Sequence, residues 1–346
     1  MFVAIGFDDN AYSGLEGSGG TGAMKWATDM LRARKNPDGT PVRVTFNLTS
    51  VYAGTWMSES PTFVKQAWHT ALVDGQEIAN HSHSHPHGGD YSVQQWSDEM
   101  VACDSWLTKP FDPKEEKFSP DATKGLGASQ DSVVGFRTPY LEYNDATFEA
   151  AKTLGFWYDC SIEEGYQPEQ DGTNYFWPYT LDHGSPGHDL LVEWELKKPI
   201  KAHPGLWELP VHPVIVPPDD KCAQYGVPSG LRAKMKRAQS WFDEESGKMT
   251  GLDYNMWVQF KMTKAEFLAT LKYTLDLRLS GNRAPFMFGG HTDYYSSKYT
   301  AVPNASVEER QKVIEEFIDY ALSKPMVRVV PMKKILAWVR NPFPLD

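Results

Sequence analysis

The sequence predicts an α/β fold, a distorted (β/α) barrel of about seven strands with long active-site loops over one end. Three observations predict it. Short apolar runs alternate with capped amphipathic segments along most of the chain, which implies a mostly parallel sheet with crossover helices. At 346 residues the chain exceeds the usual single-domain length, but α/β barrels run this long as one unit, so residues 1–346 read as one domain. Polar residues able to do chemistry follow directly after the apolar runs, as they do where parallel barrel strands converge on one face.

The elements follow in order. Residues 2–7 are a compact apolar run ending at Asp8-Asp9. Val42, Val44, Phe46 and Leu48 alternate with polar neighbours, which predicts a strand. Residues 61–74 place Phe63, Val64, Ala67, Trp68, Ala71 and Leu72 on one helical face, with Gly75 as the stop. Glu77-Ile78-Ala79 is a short strand running into His81. A helix starts at Ser92, with Gln95 completing a capping box, and turns Trp96, Met100, Cys103 and Leu107 inward. Val133 to Phe136 is a strand delivering Arg137; residues 145–154 form a helix closed by Gly155; Phe156 to Tyr158 lead into Asp159. Further on, Thr263 and Glu266 cap a helix, Pro285 to Phe288 is a strand ending at Gly289-Gly290-His291, and Ser306 and Glu309 cap another helix. Val327 to Val330 is the last strand and residues 332–340 the last helix. Two long segments, 163–205 and 214–260, are rich in Gly, Pro, Trp and Tyr and lack periodicity, which marks loop insertions acting as lids or binding loops.

A net charge of −11 argues against nucleic acid and anionic membrane surfaces, since both recruit clustered cations. No run of eighteen apolar residues predicts a transmembrane helix. Met1 is followed directly by the strand-like Phe2-Val3-Ala4-Ile5 with no signal-peptide pattern, so the expectation is a secreted or periplasmic mature chain, with a cytoplasmic protein as the alternative. Cys103, Cys160 and Cys222 form no CxxC pair, which disfavours a thiolate metal site and leaves open one disulfide plus a thiol or three thiols. Twelve Trp and sixteen Tyr suit either a core or a sugar-binding cleft. Asn47, Asn80 and Asn304 each start a glycosylation-type triplet, a pattern of little specificity.

Asp8-Asp9 alone is a weak signal, because adjacent loop acids are mostly solvated. His81-Ser-His-Ser-His85 is stronger. Two imidazoles four residues apart lie on one side of a helical turn and can share one ion, and with one carboxylate they leave coordination positions open, as catalytic zinc needs. His83 and His87 compete for the same assignment. Arg137 beside an acidic pair can hold Asp8 ionised through a charge-assisted bond. His291 follows two glycines and is free to lean into a cleft.

Phe7-Asp8-Asp9, His81-Ser82-x-x-His85, Arg137-x-Pro139-Tyr140, Asp159 and His291 occur in the order of the five motifs of the NodB-type polysaccharide deacetylases, carbohydrate esterase family four. Glu208-Leu209-Pro210 resembles a strand between the fourth and fifth motifs. The resemblance runs from residue 2 to about 340, and the loops and the 135–142 stretch are most similar to bacterial chitin oligosaccharide deacetylases. It implies a Zn²⁺ (or Co²⁺) hydrolase acting on linear amide C–N bonds, removing N-acetyl groups from N-acetylglucosamine-containing glycans such as chitooligosaccharides. It further implies Asp9, His81 and His85 as metal ligands, Asp8 as general base and Arg137 tuning it. Asp159 would orient His291, the general acid, and the Tyr140 amide N–H would serve the oxyanion. The chain departs from the family at Gly6 (usually Thr), Asn10-Ala11 (usually Gly-Pro), Cys160 (commonly Trp) and Gly289 (usually Leu), and the last two alter the expected acetyl-pocket walls.

The implied partner is an acetylated oligo- or polysaccharide, with the protein a monomer. The competing readings are an acetylxylan esterase or peptidoglycan deacetylase of the same fold, and a catalytically dead glycan-binding protein. Retention of both Asp8 and His291 argues against the last.

Overall fold

The computed structural model describes residues 1–54, 59–114 and 122–344. Its strands are β1 (Phe2–Asp8), β2 (Thr45–Leu48), β3 (Glu77–Asn80), β4 (Gly135–Phe136), β5 (Tyr158–Asp159), β6 (Tyr179–Thr180), β7 (Trp207–Glu208), β8 (Pro213–Ile215), β9 (Lys248–Thr250), β10 (Phe286–His291) and β11 (Arg328–Val329). One curled sheet runs β10-β1-β2-β3-β4-β5-β7-β6, and β11 joins β1 as well. All its pairings are parallel except β6 on β7. This is the distorted (β/α) barrel, with nine strands in the sheet where about seven were expected.

β1 pairs along both edges, with β10 on one and with β11 and then β2 on the other. It is buried along its whole length because both its faces are covered, Val3, Ile5 and Phe7 packing into one apolar cluster and Phe2 and Ala4 into another. A strand covered on both faces must be continuously apolar, as Phe2 to Phe7 are. Four of the helices begin where side chains satisfy their first N–H groups. Capping boxes form at Ser92/Gln95, Thr263/Glu266 and Ser306/Glu309, and also at Asn144/Thr147, which the sequence reading did not single out. Gly75 and Gly155 take φ of 78° and 84° just past their helices, a conformation other residues resist.

Two strands are shorter than the apolar pattern suggests. Val42 and Val44 are buried, but the Val44 N–H donates to the side chain of Gln76, so pairing starts only at Thr45. β4 is confined to Gly135–Phe136.

The insertions are partly ordered by secondary structure of their own. The first holds β6 and a short helix, His188–Glu193; the second holds most of the antiparallel β8–β9 pair, the helix Leu231–Ala238 between those strands and a π-turn at Asn255–Gln259. Of the aromatic residues they carry, Tyr175 and Trp257 are core, and Trp177 packs on Trp338 of the last helix. All three cysteines are buried free thiols. No helix among the described residues is long and apolar enough to cross a membrane.

Candidate active site

The ends of β1 and β10 lie side by side, with Asp8 paired in register to His291. Asp8 is buried. Its Oδ1 accepts from Asn47 Nδ2 at 2.6 Å, and Arg137 Nη1 lies 3.1 Å from its Oδ2. Burial pushes a carboxyl pKa upward, but the Arg137 guanidinium, the nearby histidines and the Asn47 bond outweigh it and hold Asp8 below its ordinary value. Arg137 is itself fixed, donating Nε–H to the Cys160 carbonyl at 3.0 Å.

The chain then turns sharply. Asp9 and Asn10 both have φ of 66°, a conformation Asn tolerates better than most side chains. Asn10 Nδ2 donates to the carbonyls of Phe7 and Asn47, and Thr292 Oγ1 donates to Asn10 Oδ1. Asp293 accepts the N–H groups of Ala11 and Tyr12. Asn10 therefore anchors a turn at the place where the NodB-type motif usually has Gly-Pro.

His81 and His85 meet over Asp9, though not through a helical turn as expected. Residues 81–85 form an irregular loop in which Ser82 and His85 take φ of 70° and 55°. Glu99, from the helix Val93–Thr108, pins it by accepting the N–H groups of His83 and Ser84. His81 Nδ1 lies 2.9 Å from the Arg137 carbonyl, an acceptor, so Nδ1 carries the proton and Nε2 presents a lone pair. Burial lowers the His81 pKa to about 4, keeping the ring neutral. His81 Nε2 and His85 Nε2 lie 3.6 and 3.0 Å from Asp9 Oδ1, a buried oxygen with no hydrogen-bond partner. The three ligand atoms all fall within 4.8 Å of one another. Lone pairs of His81 and of a carboxylate converging without a shared proton fit a cation between them. His83 instead meets Ser50 Oγ at 2.8 Å, and His87 meets Glu142 at 3.0 Å and stacks on Tyr140.

His291 Nδ1 is 2.7 Å from Asp253 Oδ1, and its backbone N–H donates to Asp253 Oδ2 at 2.9 Å. Burial opposes the charged ring, yet Asp253, with Asp9 and Asp8 behind it, raises its pKa to about 10. This corrects the assignment of Asp159 as the residue orienting His291. Asp159 accepts from the Ser161 backbone and hydroxyl and is paired to Glu208 on β7, with β4, β3, β2 and β1 between it and β10 along the sheet. Burial lifts Asp159 to about 6. Sequence reasoning missed Asp253 because it lies in an aperiodic insertion, and missed Asn47 because strand alternation read it as an outward polar residue. Asn47 and Asn80 are fully buried, which rules both out as glycan acceptors in the folded chain.

Tyr140 and Leu141 have φ of 56° and 54°, a strained pair at the turn after β4. The Tyr140 side chain is 55% exposed, with its ring 4.6 Å from that of His85. Lys197, from the first insertion, donates to the Leu141 carbonyl at 2.6 Å and lies over the Tyr143 ring.

Residues 2–158 match the sequence profile of the polysaccharide deacetylases. Over these residues the chain resembles the polysaccharide deacetylases. The matched region contains Asp8, Asp9, His81, His85 and Arg137 and ends before Asp253 and His291. Chitin deacetylase 8 of Bombyx mori is 23% identical over 350 residues, an alignment covering 100% of this chain and 72% of that protein. A solved Mycobacterium smegmatis structure, described as that of a polysaccharide deacetylase, superposes with a TM-score of 0.57 at 16% identity, covering 100% of this chain and 93% of the other. The chain thus shares the fold of that structure along its full length.

Proposed function

We propose that this chain is a divalent-metal-dependent deacetylase, zinc-loaded through Asp9, His81 and His85, that removes N-acetyl groups from chitooligosaccharides. The observation that carries the reading is the register pairing of Asp8 with His291 beside the Asp9–His81–His85 cluster. It sets a base held ionised against an acid held protonated, with a ligand set suited to a Lewis acid beside them. Zinc suits two imidazoles and a carboxylate, cobalt would fit the same donors, and such an ion would polarise the amide carbonyl and acidify water.

The chain's own residues supply the rest. Asp8, ionised and pinned by Arg137 and Asn47, takes the proton of the attacking water. The N–H of Tyr140 stabilises the oxygen as charge develops on it. His291, its Nδ1–H held by Asp253, gives the proton on Nε2 to the departing sugar nitrogen, and the C–N bond breaks to release acetate and the free amine. Because Asp253 comes from the 214–260 insertion, the whole of residues 1–346 acts as one catalytic domain in this reading.

Acetate release by the zinc-loaded protein from chitooligosaccharides, acetylxylan and peptidoglycan tests it. The expected order places N-acetylglucosamine oligomers first, and greater activity on acetylxylan would overturn the substrate class.

A further inference from the structure

Two glycines face each other just inside the acid–base pair. β1 and β10 pair Gly6 with Gly289 and Asp8 with His291, and side chains two apart on a strand share a face. The positions one step inward from Asp8 and His291 therefore carry no side chain of their own. Other parts of the chain fill that space. A β-carbon placed on Gly289 would lie 3.0 Å from Arg137 Nη1 and only 2.1 Å from Leu252 Cδ2; one placed on Gly6 would lie 3.7 Å from the same nitrogen. Leu252 thus occupies the place a side chain on Gly289 would take.

Leu252 is held there firmly. It bridges Gly289, whose N–H donates to the Gly251 carbonyl at 2.8 Å, and the next residue, Asp253, clamps His291 twice. The side chain is only half-buried.

We infer that Leu252 is the wall that limits the length of the acyl group this enzyme removes. The inference rests on the proposed deacetylation at Asp8 and His291. The reacting carbonyl carbon must lie within reach of both residues, and the sugar is too large to pass inward between them. The acyl tail, on the opposite side of that carbon, then points toward the Gly6–Gly289 layer, where Leu252 meets it. A methyl group stops short of the leucine, whereas each further methylene must displace a side chain backed by Gly289 and tied to the His291 clamp. A pocket that discriminates by one methylene achieves about 10- to 200-fold.

The test compares N-acetyl, N-propionyl and N-butyryl forms of one glucosamine oligomer. The wild type should lose at least about 10-fold in kcat/KM for each added methylene. Leu252→Ala should bring the acetyl-to-butyryl ratio close to unity while zinc content holds, and Leu252→Phe should shift preference to the N-formyl oligomer. An unchanged acyl preference in both variants overturns the inference. Calorimetric titration of the zinc-loaded proteins with acetate and butyrate reads the same wall without turnover: butyrate should bind Leu252→Ala more tightly than the wild type, and equal binding also overturns it. A wild type that releases no acetate from any N-acetylated glycan overturns the functional reading instead, and the carboxylate titration still decides the wall.

Discussion

Asp253 holds His291 by two bonds, Oδ1 to the ring Nδ1 at 2.7 Å and Oδ2 from the backbone N–H at 2.9 Å. The double contact fixes the ring's orientation. It also keeps the imidazolium form in place to about pH 10. The sign follows from the raised pKa: the stability this charge contributes is fully present below an unfolded-state pKa of about 6.5 and is lost as pH rises through about 10.

Asp253→Asn should therefore draw the alkaline limb of kcat/KM down from about pH 10 toward the ordinary histidine range. Asp159→Asn should leave that limb where it is, because Asp159 is bonded to Ser161 instead. A pH–rate profile of both variants decides the matter, and a limb that moves with Asp159 would restore that residue as the orienting acid.

Metal content should be about one divalent ion per chain and should fall sharply in Asp9→Ala, His81→Ala and His85→Ala. His83→Ala and His87→Ala should retain it, since those rings engage Ser50 and Glu142. Elemental analysis of purified variants reads this directly, and loss of metal with His83 or His87 would reassign the ligands.

Asp8→Asn keeps the shape but cannot take a proton, so turnover should fall about 100- to 10,000-fold while metal stays bound. His291→Ala should cost far more on an N-acetyl sugar than on an aryl acetate, whose leaving group departs unprotonated. Equal losses on the two substrates would remove His291 from the acid role.

Lys197→Met keeps the apolar stem but deletes the bond to the Leu141 carbonyl beside the left-handed Tyr140–Leu141 pair. A slackened turn should misplace the Tyr140 N–H and lower kcat by about 10-fold with little change in KM, since that N–H acts on charge present only in the transition state. Lys197→Arg should recover part of the loss. Unaltered steady-state constants in Lys197→Met would show that the turn holds its shape without the insertion.

Much of this protein could be read from local sequence alone. The alternation of apolar runs with capped helices gave the barrel, because strand and helix periods and capping boxes such as Ser92/Gln95 depend on residues a few positions apart. The same locality placed Asp8-Asp9, His81, Arg137 and His291 at strand ends and so at one face. What lay beyond it was contact across long separations. Asn47 reaches Asp8 over 39 residues, and Asp253 reaches His291 over 38, from a segment without periodicity.

The sequence by itself determined which residue types stand at the carboxyl ends of the parallel strands, because that follows from chain order and short-range pattern. Only the tertiary structure decided how His81 and His85 converge, which acid orients His291, and what fills the space beside Gly289. The physical reason is the same for all three. Left-handed turns at Ser82 and His85, a buried carboxylate seeking a charged partner, and a side chain occupying the void above a glycine are fixed by packing and hydrogen-bond satisfaction between segments that no local period connects.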